Sequence, residues 1–106
     1  MIILDWFLGK LPFGAKRSAL WLAVREKYLW EHPTCECCEG RKNLEVHHIK
    51  PVHLFPELEL MMSNLVTLCE RMKCHFAFGH LYSWRSYNPN IKEDLKMWNE
   101  KVRSRP

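Results

Sequence analysis

The cysteines constrain this chain more than any other feature. Cys35 and Cys38 form a C-x-x-C turn in "PTCECCEG", and Cys69 and Cys74 form a wider C-x4-C pair in "LCERMKCHFAFGH", with thirty residues between the pairs. A C-x-x-C turn lets two sulfurs approach one ion, and four thiolates suit a closed tetrahedral zinc site. Such a site would tie the turn before one strand to the entry of a helix. The plainer alternative is that the cysteines are buried and only pack, but two pairs in 106 residues favour metal. Cys37 is left over as the alternative partner of Cys35, although the three-residue step to Cys38 is the usual one. A disulfide-stapled secreted domain fits poorly, because five cysteines is an odd count and no export signal is visible.

At 47% hydrophobic, with five tryptophans, the chain is set to fold, and its length is that of about one domain. No apolar run approaches the roughly 20 residues that cross a bilayer, so no membrane partner is expected. A net charge of +4 fits an anionic partner without identifying one.

We read residues 1–17 as an N-terminal arm, since "MIILDWFLGKLPFG" is apolar but broken by Gly9, Pro12 and Gly14. Residues 18–106 form the domain. A helix is expected from Ser18, as N-cap, to Glu31, with Leu20, Trp21, Val24 and Tyr28 on its buried stripe, Arg25 and Lys27 on a solvated face, and Pro33 ending it. "LEVHHI" and "LVTLC" read as short strands joined by the long connection "HLFPELELMMSN". A helix over Arg71–Gly79 would carry Cys74 and His75. A last helix in "NPNIKEDLKMWNEKVR" has Asn90 as N-cap, Glu93 three residues on, and Ile91, Leu95, Trp98 and Val102 on one face.

With the cysteines assigned to one ion, the histidines are free for a second site. His47 and His48 are neighbours, and strand neighbours point to opposite faces, so both reach one site only if the strand bends or ends there, which Pro51 would allow. His75 directly follows the last cysteine. A lone histidine is usually a surface or satisfied core residue, but a doubled histidine with a third on the same cysteine-tied hairpin is less easily dismissed.

Taken together, "C-x-x-C", "LEVHHIKP", "N-L-V-T-L-C" and "C-H-x-x-x-x-H" resemble the HNH nuclease family, also called the ββα-metal or His-Me finger nucleases, over about Cys35 to His80, the motif core 35–80. The tail "FGHLYSWRSYNPN" is similar to phage and bacterial members. The resemblance implies an α+β fold, a small ββα-metal finger stabilised by structural Zn²⁺ and flanked by N- and C-terminal helices. It implies a metal-dependent endonuclease hydrolysing DNA phosphodiester bonds. By position, His48 matches the general base that activates water, His47 the metal ligand before it, Asn64 the asparagine that orients the histidine strand, and His75 the helix histidine completing the site, with His80 a further candidate ligand. Cys35, Cys38, Cys69 and Cys74 would hold the zinc, and His47, His75 and His80 a catalytic Mg²⁺, Mn²⁺ or Ni²⁺. This chain departs from many relatives in having C-x4-C where they have C-x2-C, which widens the turn before His75.

The chemistry agrees with these roles. A phosphodiester is a poor electrophile, so its hydrolysis calls for a divalent cation and a base, and an imidazole suits a base near neutral pH. Arg41, Lys42, Lys50 and Arg85 are the residues expected to hold the DNA backbone. The implied setting is the cytoplasm of a bacterial or phage-infected cell, alone or beside a larger machine such as phage DNA packaging. The competing expectation is a non-catalytic zinc-finger module that binds nucleic acid or protein. Such a module has no need of His47, His48, Asn64 and His75 together.

Overall fold

The computed structural model describes residues 17–106, so the expected arm, Arg17 apart, lies outside the described residues. Helix α1 runs Trp21–Glu31, strand β1 Leu44–His48, strand β2 Leu65–Cys69, a π-wound helix His75–Gly79, and helix α2 Ile91–Arg103. Two short 3₁₀ turns, Pro56–Leu58 and Met62–Asn64, lie in the connection between the strands. The strands pair antiparallel from Leu44 opposite Cys69 to His48 opposite Leu65. This is the expected small α+β fold: two antiparallel strands with flanking helices and the four cysteines gathered.

β2 is buried along its whole length because the hairpin is covered on both faces. Val66 and Leu68 pack with Ile91 and Leu95 of α2 and with the cysteines, while Leu65 and Val46 pack with Trp21 and Tyr28 of α1. Tyr28 also donates its hydroxyl to the Leu65 carbonyl at 2.9 Å, and Thr67 donates to the His32 carbonyl at 2.9 Å. These two bonds fix α1 and the residue after it to β2. Among the described residues the sheet has two strands, and β1 keeps one free edge.

Several local expectations are corrected. α1 begins at Trp21 rather than Ser18, because the Ser18 hydroxyl accepts from the Leu20 N–H in a local turn (3.1 Å). Leu20 is exposed, and the buried stripe centres on Trp21 and Tyr28. Arg25 lies four residues from Trp21 on that side, half-buried and paired with Glu45 at 3.2 Å, so it is not on a solvated face. The helix expected over Arg71–Gly79 starts only at Cys74, since Lys73 has a left-handed backbone (φ 59°). Asn90 occupies the cap position of α2 without a side-chain bond. The buried Asn88 does the capping: its Oδ1 accepts from the Asn90 N–H at 3.0 Å, and its Nδ2 donates to Asp94 at 2.7 Å and to the Phe78 carbonyl at 3.1 Å. Trp98 is largely exposed, its ring tilted against Phe78.

Candidate metal centres and active site

The Sγ atoms of Cys35, Cys38, Cys69 and Cys74 all lie within 4.8 Å of one another, with Cys38 and Cys69 at 3.6 Å. Zinc–sulfur bonds of about 2.3 Å in a tetrahedron imply sulfurs about 3.8 Å apart, so the cluster fits zinc. Each pair carries its own backbone support. The Cys38 N–H approaches Cys35 Sγ at 3.5 Å, and the Met72 N–H approaches Cys69 Sγ at 3.4 Å. Burial pushes the Cys35 and Cys74 thiols up. Burial also acts upward on Cys69, but the Met72 N–H and the Cys38 and Cys74 thiols outweigh it and bring that thiol down to about 7. Four clustered thiolates therefore need a cation to coexist. Cys37 is buried in the same cluster and is pushed up to about 11 by burial, but it is not one of the four.

A second cluster stands on the other side of the Cys74–His75 bond. His75 Nε2 lies 3.1 Å from His47 Nδ1 and 3.2 Å from His80 Nε2. Three ligands at about 2.0–2.1 Å from one ion would have nitrogens about 3.4 Å apart, close to this spacing. The outward nitrogens of two rings are already engaged: His75 Nδ1 meets Glu70 Oε1 at 2.5 Å, and His80 Nδ1 meets the Ser86 carbonyl at 2.7 Å. Those acceptors hold the protons on Nδ1 and leave the Nε2 lone pairs facing inward, the usual support of metal-ligating imidazoles. His47 is 3% exposed, and its Nε2 has no partner. Burial, reinforced by His75, His80 and His48, depresses its pKa to about 2, and burial also lowers that of His80. His47 and His80 are thus suited to offering lone pairs rather than carrying protons.

The π winding explains why residues five apart share one site. On an α-helix with 3.6 residues per turn, His80 would sit about 140° round from His75. The wider i→i+5 turn brings them to one face. Gly79 completes the fit: a Cβ there would stand 3.0 Å from His47 Cε1, 3.1 Å from His47 Nδ1 and 3.1 Å from His75 Cδ2.

His47 and His48 keep the regular ladder and opposite faces, and the strand ends at His48, with bends at Ile49 and Lys50, the second of the two expected routes to a shared site. Both line one cleft of about 470 Å³, which takes residues of β1 but none of β2, as expected if it lies over the free edge of β1. His48 Nε2 donates to the Glu59 carbonyl at 2.9 Å, which leaves Nδ1 unprotonated, and the ring lies tilted against Trp21 with centroids 4.4 Å apart. Burial lowers its pKa to about 4, the Glu59 carbonyl opposing and Arg17 assisting. Asn64 extends the hairpin by imitating a backbone unit. It accepts from the Lys50 N–H at 2.9 Å and donates to the carbonyls of Lys50 (3.1 Å) and Leu58 (3.2 Å), while its own carbonyl accepts from the Ile49 N–H at 2.8 Å.

Of the basic residues read from the sequence, Arg85 lines the cleft. Lys50 lies beside it with its ammonium over the Phe55 ring, and Arg41 and Lys42 are exposed before β1, away from the cleft lining. Sequence reasoning missed Arg17 and Arg25, which line the cleft from α1 and the residues before it. Arg17 lies over Trp21 at 5.1 Å, and burial lowers its pKa. Also missed was Glu59, whose carboxylate accepts the Ser18 N–H at 3.0 Å to both oxygens while its carbonyl holds His48. The four-residue step from Trp21 to Arg25 was the available signal for Arg25; a backbone carbonyl leaves none.

A two-stranded hairpin followed by a short helix, with a tetrathiol cluster at one end and converging imidazoles beside it, defines a small ββα-metal domain. Residues 35–79 match the family model of the HNH endonucleases. No curated protein and no solved structure gives a match. Among the described residues no helix is long and apolar enough to cross a membrane.

Proposed function

We propose that this protein is a metal-dependent endonuclease that hydrolyses DNA phosphodiester bonds, with residues 18–106 working as one nuclease domain. The observation that carries the reading is the convergence of His47 Nδ1, His75 Nε2 and His80 Nε2 in the cleft that His48 also lines. A divalent ion on those three nitrogens, Mg²⁺, Mn²⁺ or Ni²⁺, would supply Lewis-acid stabilisation of the charge developing on the phosphate. His48 acts as the general base: the Glu59 carbonyl fixes its tautomer, burial keeps it uncharged at neutral pH, and Nδ1 takes the proton of the attacking water. Asn64 has no proton to give at useful pKa and positions the end of β1 through the Lys50 backbone. Arg17, Arg25 and Arg85 hold the phosphate, with Arg41, Lys42 and Lys50 as outer contacts to the duplex. Cys35, Cys38, Cys69 and Cys74 hold a structural zinc.

A DNA substrate sets the place of action in the cytoplasm of a bacterial or phage-infected cell, where so small a cutter can serve a larger DNA-processing machine. The test is plasmid relaxation or linearisation with Mg²⁺, Mn²⁺ or Ni²⁺, for the parent and for His48→Ala. The variant should lose about 10²- to 10⁴-fold, as expected for a positioned base. A His48→Ala protein as fast as the parent refutes the base assignment. A parent inactive with all three metals refutes the nuclease reading in favour of a zinc-finger module that only binds.

A further inference from the structure

The segment leaving the π-wound helix raises a question that the metal site does not answer. Leu81 and Tyr82 are consecutive non-glycine residues with left-handed backbones (φ 53° and 64°). Glycine is the usual residue where a helix ends this way, and a side chain there costs about 1 kcal/mol or more. The conformation does not serve burial: Leu81, Tyr82 and Trp84 are 53%, 70% and 56% exposed. The backbone is nevertheless well fixed, with the Leu81 N–H donating to the Ala77 carbonyl (3.1 Å), Tyr82 to Phe76 (3.0 Å) and Ser83 to His80 (3.0 Å).

The exposed rings are braced from below. Phe76 meets Tyr82 edge-on at 5.4 Å and Trp84 at 4.7 Å, while Trp84 also touches His75 (5.3 Å) and His80 (4.8 Å). Trp84 and Arg85 both line the cleft. An apolar ledge, stiffened by strained backbone and continuous with the cationic cleft, therefore begins at two of the three converging imidazoles.

We propose that Tyr82 and Trp84 are a stacking platform for an unpaired nucleobase, so that the preferred substrate is DNA with unpaired bases next to the cut: single strands, bulges, flaps or branches. Aromatic faces bind bases of any sequence, and a cationic groove beside them tracks the backbone. Paired bases offer no free face to such a ledge. Trp84 adjoins His80, with ring centroids 4.8 Å apart, so a base stacked on the ledge would belong to the same strand segment as a phosphate at the imidazoles. The identity of the substrate rests on the nuclease reading, whereas the platform itself does not.

Binding without added divalent ion separates the two. Fluorescein-labelled DNA of about 20 nucleotides, longer than one single-strand-binding site, is titrated as a single strand and as a matched duplex, with anisotropy as the readout. The parent should bind the single strand more tightly. Tyr82→Ala, whose ring contact is to Phe76 and not to an imidazole, and Trp84→Leu should each weaken single-strand binding about fivefold or more while leaving the duplex within about twofold, and Trp84→Phe should retain most of the affinity. Unchanged single-strand affinity in Tyr82→Ala and Trp84→Leu overturns the platform, as does an equal loss on both DNA forms. A shift from dimer to monomer in Tyr82→Ala with the DNA preference intact overturns it in favour of a second copy of the chain. If the platform fails, plasmid cleavage by the parent still stands; if the parent cleaves nothing, the single-strand preference still stands.

Discussion

Replacing Gly79 by alanine separates the imidazole cluster from the stability of the fold. The added Cβ would stand 3.0–3.1 Å from three atoms of the His47 and His75 rings. Carbon atoms pack best at about 3.5–4.0 Å, so the rings must yield by about 0.5 Å. That exceeds the tolerance of about 0.2 Å on metal–ligand distances. Metal affinity at the three imidazoles should therefore fall by about 10- to 100-fold, the scale seen when the support of a ligand is lost. The fold should change much less. Alanine gains about 1 kcal/mol over glycine in a helix, and overpacking costs about 1–3 kcal/mol, so the two nearly offset. The assay is Mn²⁺ titration followed by electron paramagnetic resonance, with zinc content and urea unfolding measured on the same samples. Gly79→Ala should keep its zinc and most of its stability while binding Mn²⁺ weakly and cutting DNA slowly. Parent-like Mn²⁺ affinity would show that the three rings do not share an ion.

Cys69→Ser should release the zinc and unfold the domain, because the cysteines form much of one core cluster and structural zinc contributes directly to folding; stoichiometric zinc retained by this variant counts against the assignment. Asn64→Ala loses three hydrogen bonds to the segments flanking the site, at about 0.5–1.5 kcal/mol each, so it should fold with lower stability, keep zinc and cleave much more slowly. Parent-like cleavage would remove its positioning role. Acid should destabilise the chain through the buried histidines. Their folded pKa values, about 2 for His47 and about 4 for His48, lie below the ordinary 6.5, so the unfolded chain takes up protons first. Their contribution is complete above about 6.5 and is lost as pH falls, through about 4 for His48 and on to about 2 for His47. Urea midpoints between neutral pH and pH 5 should fall more steeply for the parent than for His48→Gln, and parallel slopes would refute this.

What the sequence made legible follows from which groups carry the interaction. The cysteine spacing, the doubled histidine and the two short strands announce themselves because side-chain identity decides them. The arrangement around them is decided by backbone. The acceptor for His48 is the Glu59 carbonyl, which any residue would have offered. The π winding that unites His75 and His80 follows no apolar period, and only glycine just before the second histidine hinted that space was short there. Arg25 was misread because a half-buried cation paired with Glu45 looks, in sequence, like an ordinary solvated charge. Asn88 outcompeted Asn90 as the cap because it alone also reaches the Phe78 carbonyl.

The wide C-x4-C spacing bears on why the histidines keep their register. The residues between the cysteines form a turn, with the Lys73 N–H donating to the Glu70 carbonyl at 3.1 Å and Lys73 left-handed, so the longer spacing is taken up before Cys74. From Cys74 onward the chain winds without interruption to His80. A cysteine held in the tetrathiol cluster thus sets where the π-wound helix begins, and His75 is the next residue. Glu70, in the same turn, reaches back to His75 Nδ1. Length changes within 70–73 should therefore matter through that carboxylate rather than through the position of His75, whereas an insertion after Cys74 would rotate His75 and His80 away from His47 together.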